Sequence, residues 1–514
     1  MHRANRVLVP LLAAVLSACS PTSPRPSSVA VAPATTQAPD LAAYESAWKE
    51  VGRLEKSNQR NEALAAIVRQ IQRDDFGALP EDVGYQWLHE AGVLEIELEA
   101  YEQAHLVFER TSQMSMATED DWRYRFISAQ ISGARADAIL ALTTLARRWP
   151  EQLKSFNSRF VHRAVMAERA DRASDDARFF LLEALYAAQW KLEYDIEPSA
   201  AWADFVRLLL DRGDLGRAAS VSASITSPRI LLALRVDKRF DAIVRAAPAR
   251  FDIAAAMARE IGAFQSLAAA WPRQLDLKYE LICAYLDAAQ NERALAVADA
   301  VLSDASRETA YDDYADKINW ILDSRAMALR RVGRWREALS YLEQAAAHLE
   351  NGRPNVSNAI NLAGLHAQFG RSREALAALG TMAFETEGVS EYGGMQIHHV
   401  LLLAAIAGHD TTSMKDALEF MREHQSAASS TYQEALLDAN EIEQAADLLI
   451  RRLKDPVLRG AALEEMQDYR SGALSPSERT FEARWRQLKA RSDVQATLAE
   501  FGRIETVALA PPLY

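Results

Sequence analysis

The chain has 514 residues, with 71 Asp and Glu against 58 Lys and Arg, for a formal net charge of −13. That balance excludes an electrostatic grip on nucleic acid or on anionic lipid faces, which both need basic surface. Two cysteines, Cys19 and Cys283, exclude a disulfide framework.

The first residues read as an export leader. Arg3 and Arg6 precede a short apolar stretch over residues 8–16, which runs into Ser17, Ala18 and Cys19. A positive start, about 7–15 apolar residues and small residues at the cut are the parts of such a leader. The stretch falls well short of the roughly 20 apolar residues of a spanning helix, and no later segment reaches that length. The pattern resembles a bacterial lipoprotein signal, in which Cys19 becomes the lipidated first residue of the mature chain. The resemblance implies loss of residues 1–18, which removes Arg3 and Arg6 and takes the charge from −13 to −15. It also implies several acyl chains on Cys19, since one alone holds only marginally. Ser20 rather than Asp follows the cysteine. By the same resemblance, the address is the periplasmic face of the outer membrane.

Residues 19–40 hold Pro21, Pro24, Pro26, Pro33 and Pro39 among Ser, Thr, Val and Ala. Proline favours extended conformations at about 3.1 Å per residue, so a tether reaching roughly 60 Å is expected here.

From residue 41 to 470 apolar residues recur at three- and four-residue spacing, which predicts amphipathic helices. That length exceeds one compact core, which stops growing near roughly 250–300 residues. Internal repeats are the expected solution. Leu145, Ala146, Trp149, Pro150, Gln152 and Leu153 return 122 residues later as Leu267, Ala268, Trp271, Pro272, Gln274 and Leu275. A finer period aligns on Ala63, Ala104, Ala138, Ala177, Ala218, Ala294, Ala338, Ala375, Ala417 and Ala445. The widest gap, between Ala218 and Ala294, leaves room for a degenerate unit near Glu260.

Two further columns give the alanines a reason. Four residues on stand Ile67, Phe108, Leu142, Leu181, Leu342, Leu379, Met421 and Leu449, on the same helix face. Five residues before stand Asn58, Gly133, Gly213, Gly333, Gly370 and Asn440, types that tolerate the left-handed conformation closing a helix. Each unit then reads as helix, turn, helix.

These columns resemble the tetratricopeptide repeat. The clearest copies run over residues 326–347, 362–379 and 98–110, and Pro150 and Pro272 sit where that family ends a unit. The resemblance implies an all-α fold, a right-handed superhelical α-solenoid of helix-turn-helix repeats with a concave binding groove. Ser475 and Pro476 mark a last helix start. A stripe of Phe481, Trp485, Leu488, Val494 and Leu498 predicts one helix to about residue 499, and residues 471–514 are expected to cap the array.

Chemistry is sparse. Ser46 and Lys49 have SxxK spacing without its companion motif. Gly388, Ser390 and Tyr392 miss a nucleophile elbow. His398 and His399 are adjacent, so on a helix they point about 100° apart and cannot share one ion. Cys283, in the apolar run 279–285, reads as a buried small hydrophobe. No catalytic residue, metal or cofactor is assigned. Trp122, Trp149, Trp271 and Trp335 read as packing residues. Two acidic-aromatic segments, around Trp122 and Tyr124 and around Tyr311 and Tyr314, are the candidate ligand-contact loops. The expectation is a non-enzymatic, lipid-anchored scaffold for protein partners in the bacterial cell envelope, with a glycan ligand or a part in polysaccharide export as the alternative and an unrecognised glycan-active enzyme behind both.

Overall fold

A computed structural model describes residues 38–166, 174–304, 307–350, 353–383 and 389–512. Cys19, the leader and residues 19–37 of the expected tether lie outside the described residues. The described residues fall into two compact units, one ending at Ile225 and the other beginning at Thr226.

In the first unit the helices are α1 (Leu41–Lys56), α2 (Arg60–Ile71), α3 (Glu81–Glu97), α4 (Tyr101–Thr111), α5 (Glu119–Ser132), α6 (Arg135–Arg148), α7 (Ser158–Met166), α8 (Asp175–Ala187), α9 (Ser199–Asp211) and α10 (Leu215–Ser222). Successive helices pack on one another from α1 to α6, then α6 on α8, α8 on α9 and α9 on α10. Contacts of this local kind make an all-α helical-repeat array.

The second unit begins with α11 (Pro228–Val236), α12 (Asp241–Ala246), α13 (Ile253–Ala270), α14 (Leu275–Asp287), α15 (Asn291–Ser303) and α16 (Arg307–Ala310). It continues with α17 (Tyr314–Arg331), α18 (Trp335–Ala347), α19 (Val356–Gln368), α20 (Ser372–Leu379), α21 (Glu391–Gly408) and α22 (Thr411–Glu423). It ends with α23 (Ser429–Asp438), α24 (Ile442–Lys454), α25 (Arg459–Glu465), α26 (Pro476–Lys489) and α27 (Ser492–Phe501). A two-residue antiparallel pairing, Leu349–Glu350 with Arg353–Pro354, joins α18 to α19. Helix α13 fills the place expected for the unit near Glu260.

The turn column holds throughout. Asn58, Gly133, Gly213, Gly333, Gly370 and Asn440 all have φ between 60° and 83°. Nine of the ten column alanines are buried, and so are all eight of their i+4 partners. Ala177 is the exception and a correction: it lies exposed in the first turn of α8. The helix there closes later, at Gln189, whose φ is 53°. The 122-residue repeat is real in the backbone. Trp149 and Trp271 end α6 and α13 with φ/ψ of −141°/64° and −123°/65°. Trp271 is nevertheless 53% exposed, so it is not the packing residue expected.

The last helix is also corrected. It breaks at Ala490 and Arg491 into α26 and α27, while Trp485, Leu488, Val494 and Leu498 stay buried. Its start is as expected: Ser475 and Glu478 form a reciprocal capping box with Pro476 at the first position. Rather than only ending the array, α26 lies against α19, α23 and α24. The tail then runs back along the unit. Arg503 N–H donates to Val236 (3.0 Å), Arg470 N–H to Leu509 (2.9 Å) and Ala510 N–H to Asp287 (2.8 Å). Helix α11 packs on α25, so the two ends of this unit's array meet.

Candidate functional site

The first helix of each pair in the second unit presents one stripe to a common inner face. Tyr279, Cys283 and Leu286 come from α14, Trp320, Asp323, Met327 and Arg330 from α17, and Ile360 and Asn361 from α19. Gln396 and His399 come from α21, and Gln433, Glu434 and Asp438 from α23. Spacings of three, four and seven residues put the α14, α17 and α21 sets each on one helix face, and the adjacent pairs Ile360–Asn361 and Gln433–Glu434 widen the stripe. Two cavities of about 500 and 520 Å³ open along this face and share Met327, Arg330, Ile360, Asn361 and Gln396. Residues 467–489 cover the first cavity, with Pro511 and Pro512 at its wall.

Polar rungs link the inner helices at about one repeat length. Asn319 Nδ2 donates to Asn358 Oδ1 (3.2 Å) and Asn361 Nδ2 to Asp323 Oδ1 (3.0 Å). Gln396 Nε2 donates to Thr431 Oγ1 (2.7 Å), and His399 Nε2–H to Asp438 Oδ2 (2.9 Å). Arg452 grips Glu465 and Ser430. The first unit has its own rung: Tyr85 OH (2.7 Å) and His89 Nδ1 (3.0 Å) meet the Asp121 carboxylate.

Burial shapes the electrostatics. It pushes the Glu434 carboxyl up to about 7 against the opposing pull of His399. Burial also raises Asp323. It opposes the charge on His399, but the hydrogen bond and charge of Asp438 outweigh it and push the imidazole up. Arg331 is pushed down to about 10 by burial, and its guanidinium donates to Leu286 O (2.6 Å) and Pro511 O (3.1 Å).

The residues singled out from sequence fall elsewhere. Trp122 and Tyr124 are not in a loop: both lie in α5, whose first turn is held by a Thr118–Asp121 capping box. Tyr124 stacks on Phe108 at 5.1 Å, and the Arg125 guanidinium sits 5.1 Å from the Trp122 ring. Tyr311 stays in a connection, and Tyr314 opens α17. Between them, Asp313 accepts the Leu275 and Asp276 N–H groups (2.7 and 2.8 Å) and caps α14, while Arg273 pairs with Asp312. The two segments belong to different units, and neither borders the inner cavities. Ser390 is the N-cap of α21. His398 stacks on Phe420 at 3.5 Å while His399 turns to Asp438, so the two rings diverge as expected. Cys283 is half-buried at the cavity wall, and burial pushes its thiol up to about 12, far from a thiolate. The inner-face set went unnoticed because its members are scattered over five helices. The signal that finds them is a polar residue at an inner position paired with another 35 to 39 residues on.

No family model matches the chain, and no curated protein sequence matches it. Two solved structures align over most of its length. The chain is similar to a chain of the APC/C hetero-tetramer Cut9–Hcn1 at 12% identity, covering 89% of each, with a TM-score of 0.29. It is similar to a chain of the Naa15/Naa10 complex bound to HypK-THB at 13% identity, covering 89% of this chain and 79% of that one, with a TM-score of 0.17.

Proposed function

We propose that this chain is a non-enzymatic interaction scaffold, lipid-anchored through Cys19 on the periplasmic face of the outer membrane. One observation carries the scaffold reading: the inner face of the Thr226–Tyr514 unit already seats a helix, α26, against α19 and α23. A surface that accommodates a helix of its own chain has the curvature and side-chain spacing to accommodate one from a partner. The leader resemblance supports the address. Crosslinking in intact cells followed by partner identification tests the reading. Recovery of one envelope protein is expected, and recovery of none contradicts it. Replacing Cys19 by Ser is expected to release the chain from the membrane fraction without changing its helix content.

A second reading rests on the 520 Å³ cavity, where Tyr279, Trp320 and Tyr392 stand beside Asp323 and Asn361. Aromatic faces with fixed polar groups also suit a glycan. Glycan-array binding that is lost in Trp320→Ala favours that reading over the first.

A further inference from the structure

We propose that the cavity under the C-terminal segment is a site for a cationic group, an ammonium or guanidinium, with Glu434 as its counter-ion. The proposal deepens the scaffold reading and rests on it only for the cation's source, a partner's Lys or Arg side chain.

Among the described residues, most charged groups around Glu434 are paired, while Arg331 and Arg486 on the same wall bind only backbone carbonyls. Asp438 has His399 at 2.9 Å, and Glu465 has Arg452 at 2.5 Å. From α26, Glu478 has Arg330 at 3.2 Å, and Lys489 reaches Asp468 at 2.9 Å. Arg486 and Glu482 of that helix line the same cavity, with the Arg486 Nε–H donating to the Glu482 carbonyl (3.3 Å). Among the described residues, the ion-pair contact of Glu434 is the far nitrogen of His399, at 3.9 Å. A half-buried carboxylate without a close cation keeps part of its desolvation cost, which a cation entering from the cavity relieves.

A second, independent group points the same way. Gln433 is 1% exposed and lines this cavity. Its Nε2 donates to Ala445 O (2.9 Å), but its Oε1 meets no donor among the described residues. Both groups accept, which an ammonium or guanidinium satisfies and a carboxylate cannot, although the same wall also holds Arg330 Nε–H without an acceptor among the described residues. The remaining wall adds Trp335, Phe481 and Trp485. Aromatic faces attract cations through their ring quadrupole and do nothing for anions. The chain's charge of −13 steers cations toward it.

Titration calorimetry on the full chain tests this. The probes are an uncharged-terminus pentapeptide with one central Lys, the same peptide with Glu in its place, n-butylamine, and a neutral trisaccharide. The Lys peptide is expected to bind, at least tenfold more tightly than the Glu peptide or the trisaccharide. Binding at pH 7 draws a proton off Glu434, so the heat should vary with the buffer's ionisation enthalpy. Glu434→Gln, whose folding is checked by circular dichroism, should weaken the Lys peptide at least tenfold and abolish the buffer dependence. Butylamine binding as well as the peptide makes a free amine the source, with the same counter-ion. The proposal is overturned if neither cation binds, if Glu434→Gln binds the Lys peptide as the wild type does, or if the Glu peptide or trisaccharide is preferred.

Discussion

Gly333 closes α17 at φ +79°, and a Cβ there meets the Ala473 Cβ at 3.3 Å. Left-handed backbone costs an L-residue about 1–2 kcal/mol. Gly333→Ala should therefore destabilise the chain by about that much. Ala289 performs the same turn at φ 55° with a side chain. Ala289→Gly should go the other way, by less, because the added chain entropy of glycine offsets part of the relief. Urea unfolding of both variants reads the two signs. This pair also shows what was legible. The turns at Gly333, Gly370 and Asn440 announced themselves by residue type. Those at Glu99, Ala289 and His409 have the same positive φ but ordinary side chains, and backbone hydrogen bonds such as Gln290 N–H to Tyr285 O (2.8 Å) close them without a residue-type signal. The same limit hid Gly92. A Cβ there would stand 2.7 Å from the Phe108 ring, so it marks close approach of α3 and α4 and not a turn. Gly92→Ala should cost about 1–3 kcal/mol by overpacking, and Phe108→Leu in the same chain should recover part of it.

Elements are held by caps, rungs and one strap. Glu95 on α3 is 3% exposed, and its Oε2 meets no donor among the described residues. Burial pushes its carboxyl up to about 8. The unfolded value is about 4.3, so between the two the folded chain holds a proton that the unfolded chain has lost. Stability contributed by this group is present below about 4.3 and falls as pH rises through 8. Glu95→Gln should flatten that slope in melts recorded from pH 5 to 9. Asp121 has the opposite sign. Burial opposes its charge, but His89, Tyr85 and Thr118 hold it down to about 2, so its contribution is lost only in strong acid. In the second unit Arg229 of α11 binds Asp287 at 2.5 Å, Glu464 at 3.3 Å and the Ala510 carbonyl at 3.0 Å. It joins the first helix, α14, α25 and the tail in one grip. Arg229→Ala leaves two carboxylates without their cation and should cost about 3–5 kcal/mol. Limited proteolysis should then cut first within residues 503–512. None of this was visible in the sequence, because Arg229 and Ala510 stand 281 residues apart. Helix period and caps are local signals. The closing of α11 on α25 is not.

For the whole molecule, the two units share one construction but differ in what they offer. The first has the rung of Tyr85, His89 and Asp121. The second has an inner face with two cavities, its own helix seated there and acidic groups around Glu434. Those cavities and the seated helix place docking on the inner face of the second unit. The direct test is a photo-crosslinking residue placed at one of two sites in living cells. One is Tyr392, 52% exposed and bordering the inner cavity. The other is Leu376, 39% exposed on the second-row helix α20. The account predicts a discrete partner adduct from position 392 and none from position 376. Identical adducts from both positions, or adducts from 376 alone, would contradict it.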